Sequence, residues 1–110
     1  DPRPGRRIAV LGEMLELGSR ALPLHRDTGR VVAAYELGLL LTVGGEAAEA
    51  MAAAAIEAGM PQGDVVYCED SEGAASALID RLEDGDVVLV KGSRGVRTEQ
   101  VVARLKAECA

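Results

Sequence analysis

The chain has 110 residues, 48% of them hydrophobic, with no Phe or Trp, two Tyr and a formal net charge of -6. That length suits one domain with a single core, and the composition makes that core aliphatic and alanine-rich. The acidic balance argues against nucleic acid or an anionic membrane surface as partner, because phosphate binding needs a basic face. Two cysteines, Cys68 and Cys109, make no disulfide framework and match no metal spacing, so both read as free thiols. The single histidine, His25, lacks the companions of a zinc site. No signal-peptide pattern is present, and the stretch AMAAAAIEAG is too short and too close to Glu to span a bilayer. The expected setting is cytoplasmic.

The opening DPRPG, residues 1–5, is polar and proline-broken and reads as a linker remnant, leaving 6–110 as the domain. Four apolar runs follow: IAVL (8–11), LLLTV (39–43), VVYC (65–68) and VVLV (87–90). None alternates cleanly, which predicts strands buried on both faces. The segments between them have helical spacing. In the first, Leu24, Thr28, Val31, Val32 and Tyr35 form a stripe, Pro23 fits the first turn, and Gly38 stands where a C-terminal cap belongs. The second helix is expected over 46–58, closed by Gly59 with Pro61 beyond. A third is expected over 71–82, with Asp70 or Ser71 as N-cap and EDGD as the exit turn. The fourth begins near Thr98, with Glu99 in its first turn and Lys106 in its last, in agreement with the helix dipole.

Strand and helix thus alternate four times, which predicts a Rossmann-like three-layer α/β sandwich: a parallel sheet with helices on both faces. Right-handed crossovers give the order 3-2-1-4. Ligands of such sheets bind at the carboxyl ends of the strands flanking the switch point. The loops there are VLGEMLELGS after the first strand and KGSRG after the fourth.

Those loops oppose Glu13 and Glu16 on one wall to Lys91 and Arg94 on the other. Acid facing base suits a small zwitterion such as an amino acid or dipeptide, its carboxylate at Arg94 and its ammonium near Glu13. The same charges also suit ion pairs that simply pin the loops together. No dinucleotide fingerprint or P-loop occurs, and no nucleophile elbow. His25 lies at the edge of the apolar stripe and reads as a half-buried packing residue rather than a general base.

RRIAVLGEMLELG, then Leu24-His25 and Gly29, then LLLTVG, and finally GDVVLVKGSRG together resemble the C-terminal domain of the Mur ligase family, over Arg6 to about Leu105. Within the family the likeness is to the branch that adds D-Ala-D-Ala to UDP-MurNAc-tripeptide in peptidoglycan precursor synthesis. The family's Gly-Asp-Met is Gly12-Glu13-Met14 here, which keeps the charge and lengthens the side chain. The resemblance implies a three-domain, monomeric parent enzyme of which this chain is a fragment, inactive alone. ATP and Mg would be held mainly by a central ATPase domain in cis. By motif position it implies substrate-binding roles for Glu13, Met14, Glu16, Lys91, Ser93 and Arg94, with no proton-transfer residue. A folylpolyglutamate-type or other Mur ligase, and a non-catalytic module for small zwitterions, are the alternatives.

Overall fold

The computed structural model of the chain describes residues 6–14 and 18–92. Four strands, β1 (Arg7–Gly12), β2 (Leu39–Val43), β3 (Val65–Cys68) and β4 (Val87–Lys91), alternate with three helices, α1 (Ala21–Ala33), α2 (Glu46–Glu57) and α3 (Ser71–Arg81). All strand pairs are parallel and the order is β3-β2-β1-β4, as alternation and crossover handedness require. The register sets Ile8 beside Leu39 on one side and Val88 on the other. The fourth helix expected near Thr98 lies outside the described residues.

The pleat divides the core in two. Ile8, Val10, Leu39, Leu41 and Val43 face Ala74, Ala75 and Leu78 of α3. Ala9 and Leu40 face the opposite way, against Ala55 of α2 and Met60, with Val32 of α1 partly buried beside them. Helices therefore cover both faces of the sheet. β1 and β2 are buried on both faces, whereas β4 alternates, with Val87 and Leu89 exposed. The expectation of four fully buried strands fails at both edges of the sheet, where a strand has only one neighbour: β3 is part-buried over Val65, Val66 and Tyr67, and β4 exposes Val87 and Leu89.

α1 also turns differently from its apolar stripe. Its buried residues are His25 and Gly29, while Leu24, Val31 and Tyr35 are exposed. The reason is the close approach of α1 to α2: a Cβ on Gly29 would lie 2.3 Å from the Met51 carbonyl oxygen. Helix contact at that spacing selects the face with the smallest residue, not the most apolar one. Gly38 does not cap the helix; α1 ends at Ala33, and the left-handed residue after it is Glu36 (φ 54). Gly38 instead makes room for Arg6, whose Cγ would lie 2.1 Å from a Cβ there.

Arg6 ties the amino-terminal edge of the sheet. It donates from Nε and Nη2 to both oxygens of Asp86 (3.2 and 2.8 Å), and Nη2 also donates to the Arg81 carbonyl. The Asp86 side chain is 3% exposed and that of Arg6 is 31% exposed. The guanidinium hydrogen bond holds the Asp86 carboxyl below the usual carboxylate range, against the opposing effect of burial and with help from the Glu83 N–H.

Because the folded pKa is depressed, this pair stabilises the fold fully above the unfolded carboxylate range and less as pH falls through the folded value. Asp86→Asn is expected to cost about 1 to 2 kcal/mol near neutral pH, below the range for a fully buried pair because Arg6 is part-exposed. Urea melts should show that gap closing below about pH 4; a gap independent of pH would count against the pair. On β2, Thr42 is wholly buried and its hydroxyl has no hydrogen-bond partner among the described residues. Thr42→Val removes that cost in nearly the same shape, so the same melts should show a gain of about 1 kcal/mol.

Candidate functional site

At the carboxyl edge each loop is laid on the neighbouring strand. The Glu13 N–H donates to the Val43 carbonyl (2.9 Å), and the Gly44 N–H donates to the Cys68 carbonyl (3.0 Å). This brings the loop after β1 across the start of α2. The N-cap of α2 is Gly45, which has no side chain to satisfy the first amides. Glu13 supplies what is missing: its Oε2 accepts from the N–H groups of Gly45 (3.0 Å) and Ala48 (3.3 Å). A carboxylate in that place also meets the positive end of the helix dipole. Gly44 is required by this arrangement, since its φ is +141° and a Cβ would lie 2.6 Å from Glu13 Cγ. Beneath the turn, the Tyr67 hydroxyl donates to the Gly44 carbonyl (2.7 Å). Burial, then the charges of Glu49, Glu69 and Glu13, push the Tyr67 phenol above its ordinary pKa.

The next residue is held by a different helix. The Met14 N–H donates to His25 Nε2 at 2.8 Å, and His25 Nδ1 lies 2.5 Å from the Ala21 carbonyl. Nε2 must be a bare acceptor, so the proton sits on Nδ1 and the ring is neutral. His25 is 1% exposed. It is thus fully buried and bonded at both ring nitrogens, where the sequence suggested a half-buried packing residue.

Between α1 and the ends of β1 and β4 lies an open groove of about 350 Å³. Leu11 and Gly12 line it from β1 and Met14 from the loop that follows, His25 and Thr28 from α1, Met51 from α2, Lys91 from the end of β4 and Gly92 just beyond it. Its walls are mainly apolar, with one ammonium at the rim. This is the crevice at the switch point, where chain direction reverses between β2 and β4 about β1.

Of the six residues singled out in the sequence, Met14 and Lys91 both line this groove, and Glu13 precedes Met14 with its carboxylate on the start of α2. Glu16, Ser93 and Arg94 lie outside the described residues. The carboxylate of Glu13 turns to α2 rather than to Lys91, a third use of the charge beside ligand binding and loop pinning. Two features escaped sequence reading: the cap on α2 and the bond from Met14 to His25. Gly44-Gly45 before Glu46 was the available signal for the first, since a helix that starts on glycine must find its cap elsewhere. The amides of Gly45 and Ala48 are thus given to Glu13.

Glu13→Ala should lower stability by about 0.5 to 2 kcal/mol, the usual cost of losing a cap. Glu13→Gln keeps an acceptor oxygen and loses the charge, so it should fall between the two in denaturant melts. An alanine variant as stable as the parent chain would show that the α2 amides do not depend on residue 13.

Residues 1–94 match the family model for the Mur ligase glutamate ligase domain. The UDP-N-acetylmuramoyl-tripeptide--D-alanyl-D-alanine ligase of Mycobacterium leprae is 36% identical over 92 residues, covering 83% of this chain and 18% of that protein. The enzyme of the same name from Synechocystis is 36% identical over 107 residues, covering 96% of this chain and 22% of its own length. Among solved structures, a crystal structure of MurF from Acinetobacter baumannii superposes with a TM-score of 0.76 at 28% identity, over 96% of this chain and 23% of that one. The chain therefore spans about a fifth of the length of these relatives. Family match, sheet order and the crevice agree: the chain belongs to the Mur ligase family, as its C-terminal domain.

Proposed function

We propose that this chain is the substrate-positioning domain of an ATP-dependent ligase that adds D-Ala-D-Ala to UDP-MurNAc-tripeptide. The observation that carries the reading is the groove at the switch point, lined by both Met14 and Lys91, in a chain whose relatives carry that name. The dipeptide is a small zwitterion with two methyl groups. An apolar groove with a cation at its rim suits its body and its carboxylate, and Arg94 and Ser93 follow Lys91 in the same loop. Glu13, with Glu16 three residues further along the sequence, is the proposed partner of the ammonium. Both cap bonds of Glu13 fall on Oε2, so Oε1 is the oxygen it would offer.

On this reading a central domain of the parent would hold ATP and Mg and supply the phosphate-activated tripeptide carboxylate, and this domain would hold the dipeptide so that its amine forms the amide bond as phosphate leaves. Orientation of that kind contributes about 7 to 11 kcal/mol in favourable cases. Closure of this domain over the central one excludes water that would hydrolyse the intermediate. Both His25 nitrogens are engaged by backbone groups, so this imidazole holds the loop rather than a substrate proton. The domain binds and orients.

Steady-state kinetics of the complete ligase, with each substrate varied in turn, test the reading. Arg94→Ala should lower kcat/KM for D-Ala-D-Ala about ten- to a hundred-fold, which corresponds to about 1.5 to 3 kcal/mol. Lys91→Ala should lower it less, and ATP and UDP-tripeptide should bind nearly as before. Arg94→Lys should recover only part, since an ammonium cannot match a carboxylate with two parallel N–H bonds. A defect spread over all three substrates, with a lowered melting point, would make the KGSRG loop a structural turn. Turnover with a single amino acid in place of the dipeptide would favour another ligase of the family.

A further inference from the structure

The loop after β1 carries two of the proposed ligand groups on adjacent residues, and each is tied to a different helix. Glu13 is bonded to the first turn of α2. Met14 is bonded through its own N–H to the ring of His25 on α1. The second tie is unusual in its economy: one imidazole, wholly buried, accepts from the loop through Nε2 and is oriented by the Ala21 carbonyl at Nδ1. A ring fixed at both nitrogens has one tautomer and one orientation, and so presents a single acceptor at a defined place. Its helix cannot drift, because Gly29, one turn further on, sits in contact distance of the Met51 backbone.

We infer that His25 is a positioning residue for the acceptor substrate. It acts through the backbone of Met14: by accepting that N–H it fixes where the loop leaves β1, and with it the Met14 wall of the groove and the approach of Glu13 to the ligand. It does not touch the ligand's reacting atoms and transfers no proton. Packing alone would need only its volume. Positioning needs the acceptor at Nε2, and this difference separates the two roles. The inference rests on the reading of the groove as the dipeptide site.

Two substitutions and one spectrum test it. In the complete ligase His25→Leu keeps the bulk and removes the acceptor, so KM for D-Ala-D-Ala should rise about tenfold, the usual worth of one hydrogen bond. KM for ATP and for UDP-tripeptide should stay within about twofold of the parent. His25→Gln, whose Oε1 can accept the Met14 N–H, should recover most of that loss. A His25→Leu enzyme with unchanged KM for the dipeptide, while Lys91→Ala raises it, would overturn the inference and leave the site reading intact. Neither variant moving that KM would overturn the site reading, and the inference with it. A glutamine variant no better than leucine would also overturn the inference, and glutamine alone decides the matter if leucine does not fold. The spectrum is independent of any ligand: this chain has one histidine, so its ring nitrogens give one set of NMR signals. Nε2 should be unprotonated and Nδ1 protonated at neutral pH; the opposite tautomer would sink the proposal.

Discussion

The absence of a side chain at Gly29 governs the face of the sheet that carries the site. With nothing beyond Cα there, α1 comes down on the Met51 carbonyl of α2. An alanine would have to push the helices apart, because an ideal Cβ at 2.3 Å from a backbone oxygen meets an atom that cannot rotate away. The height of α1 over the sheet follows from that contact. So does the reach of His25, one turn earlier, to the backbone of Met14. The start of α2, fixed by the same contact, receives Glu13. Two adjoining residues of one loop are therefore positioned by a glycine that touches neither.

The two edges of the sheet do different work. At the amino edge, Arg6 and Asp86 join the strand entries of β1 and β4 through paired hydrogen bonds, and the Val87 N–H donates to the Arg6 carbonyl. At the carboxyl edge the ends of the same two strands line the groove. From that anchored end the parallel register of β1 with β4 runs on to Leu11 and Lys91, which line the groove. The charge pattern follows this division, with a cation at the rim of the groove in a chain whose net charge is -6.

Strand positions and sheet order were legible because they depend on local runs and on handedness, which a sequence displays directly. LLLTV and VVYC became β2 and β3 without adjustment, and Asp70 caps α3 through Gly73 as its residue type suggests. The rotation of α1 was not legible. Periodicity marked Leu24, Thr28, Val31 and Tyr35, yet the buried side is set by Gly29, a residue that hydropathy ignores. The roles of Glu13 and His25 were hidden for a related reason. Each satisfies a backbone group on an element distant in the chain, with separations of 32 and 35 residues for Glu13 and 11 for His25. A charge in a loop announces that it needs a partner, and only the fold tells which one.

The turn between β2 and α2 has an optical consequence. Without tryptophan or phenylalanine, near-ultraviolet absorption and emission of this chain come from Tyr35 and Tyr67 alone. Tyr35 is 60% exposed at the end of α1 and gives a solvent-like background. Tyr67 is part-buried, donates to the Gly44 carbonyl and sits among Glu13, Glu49 and Glu69. Carboxylates and carbonyls near a phenol quench its fluorescence, so any movement of Glu13 away from the turn changes the light from Tyr67 and leaves that from Tyr35 alone. The domain carries its own reporter of loop position, with no label required.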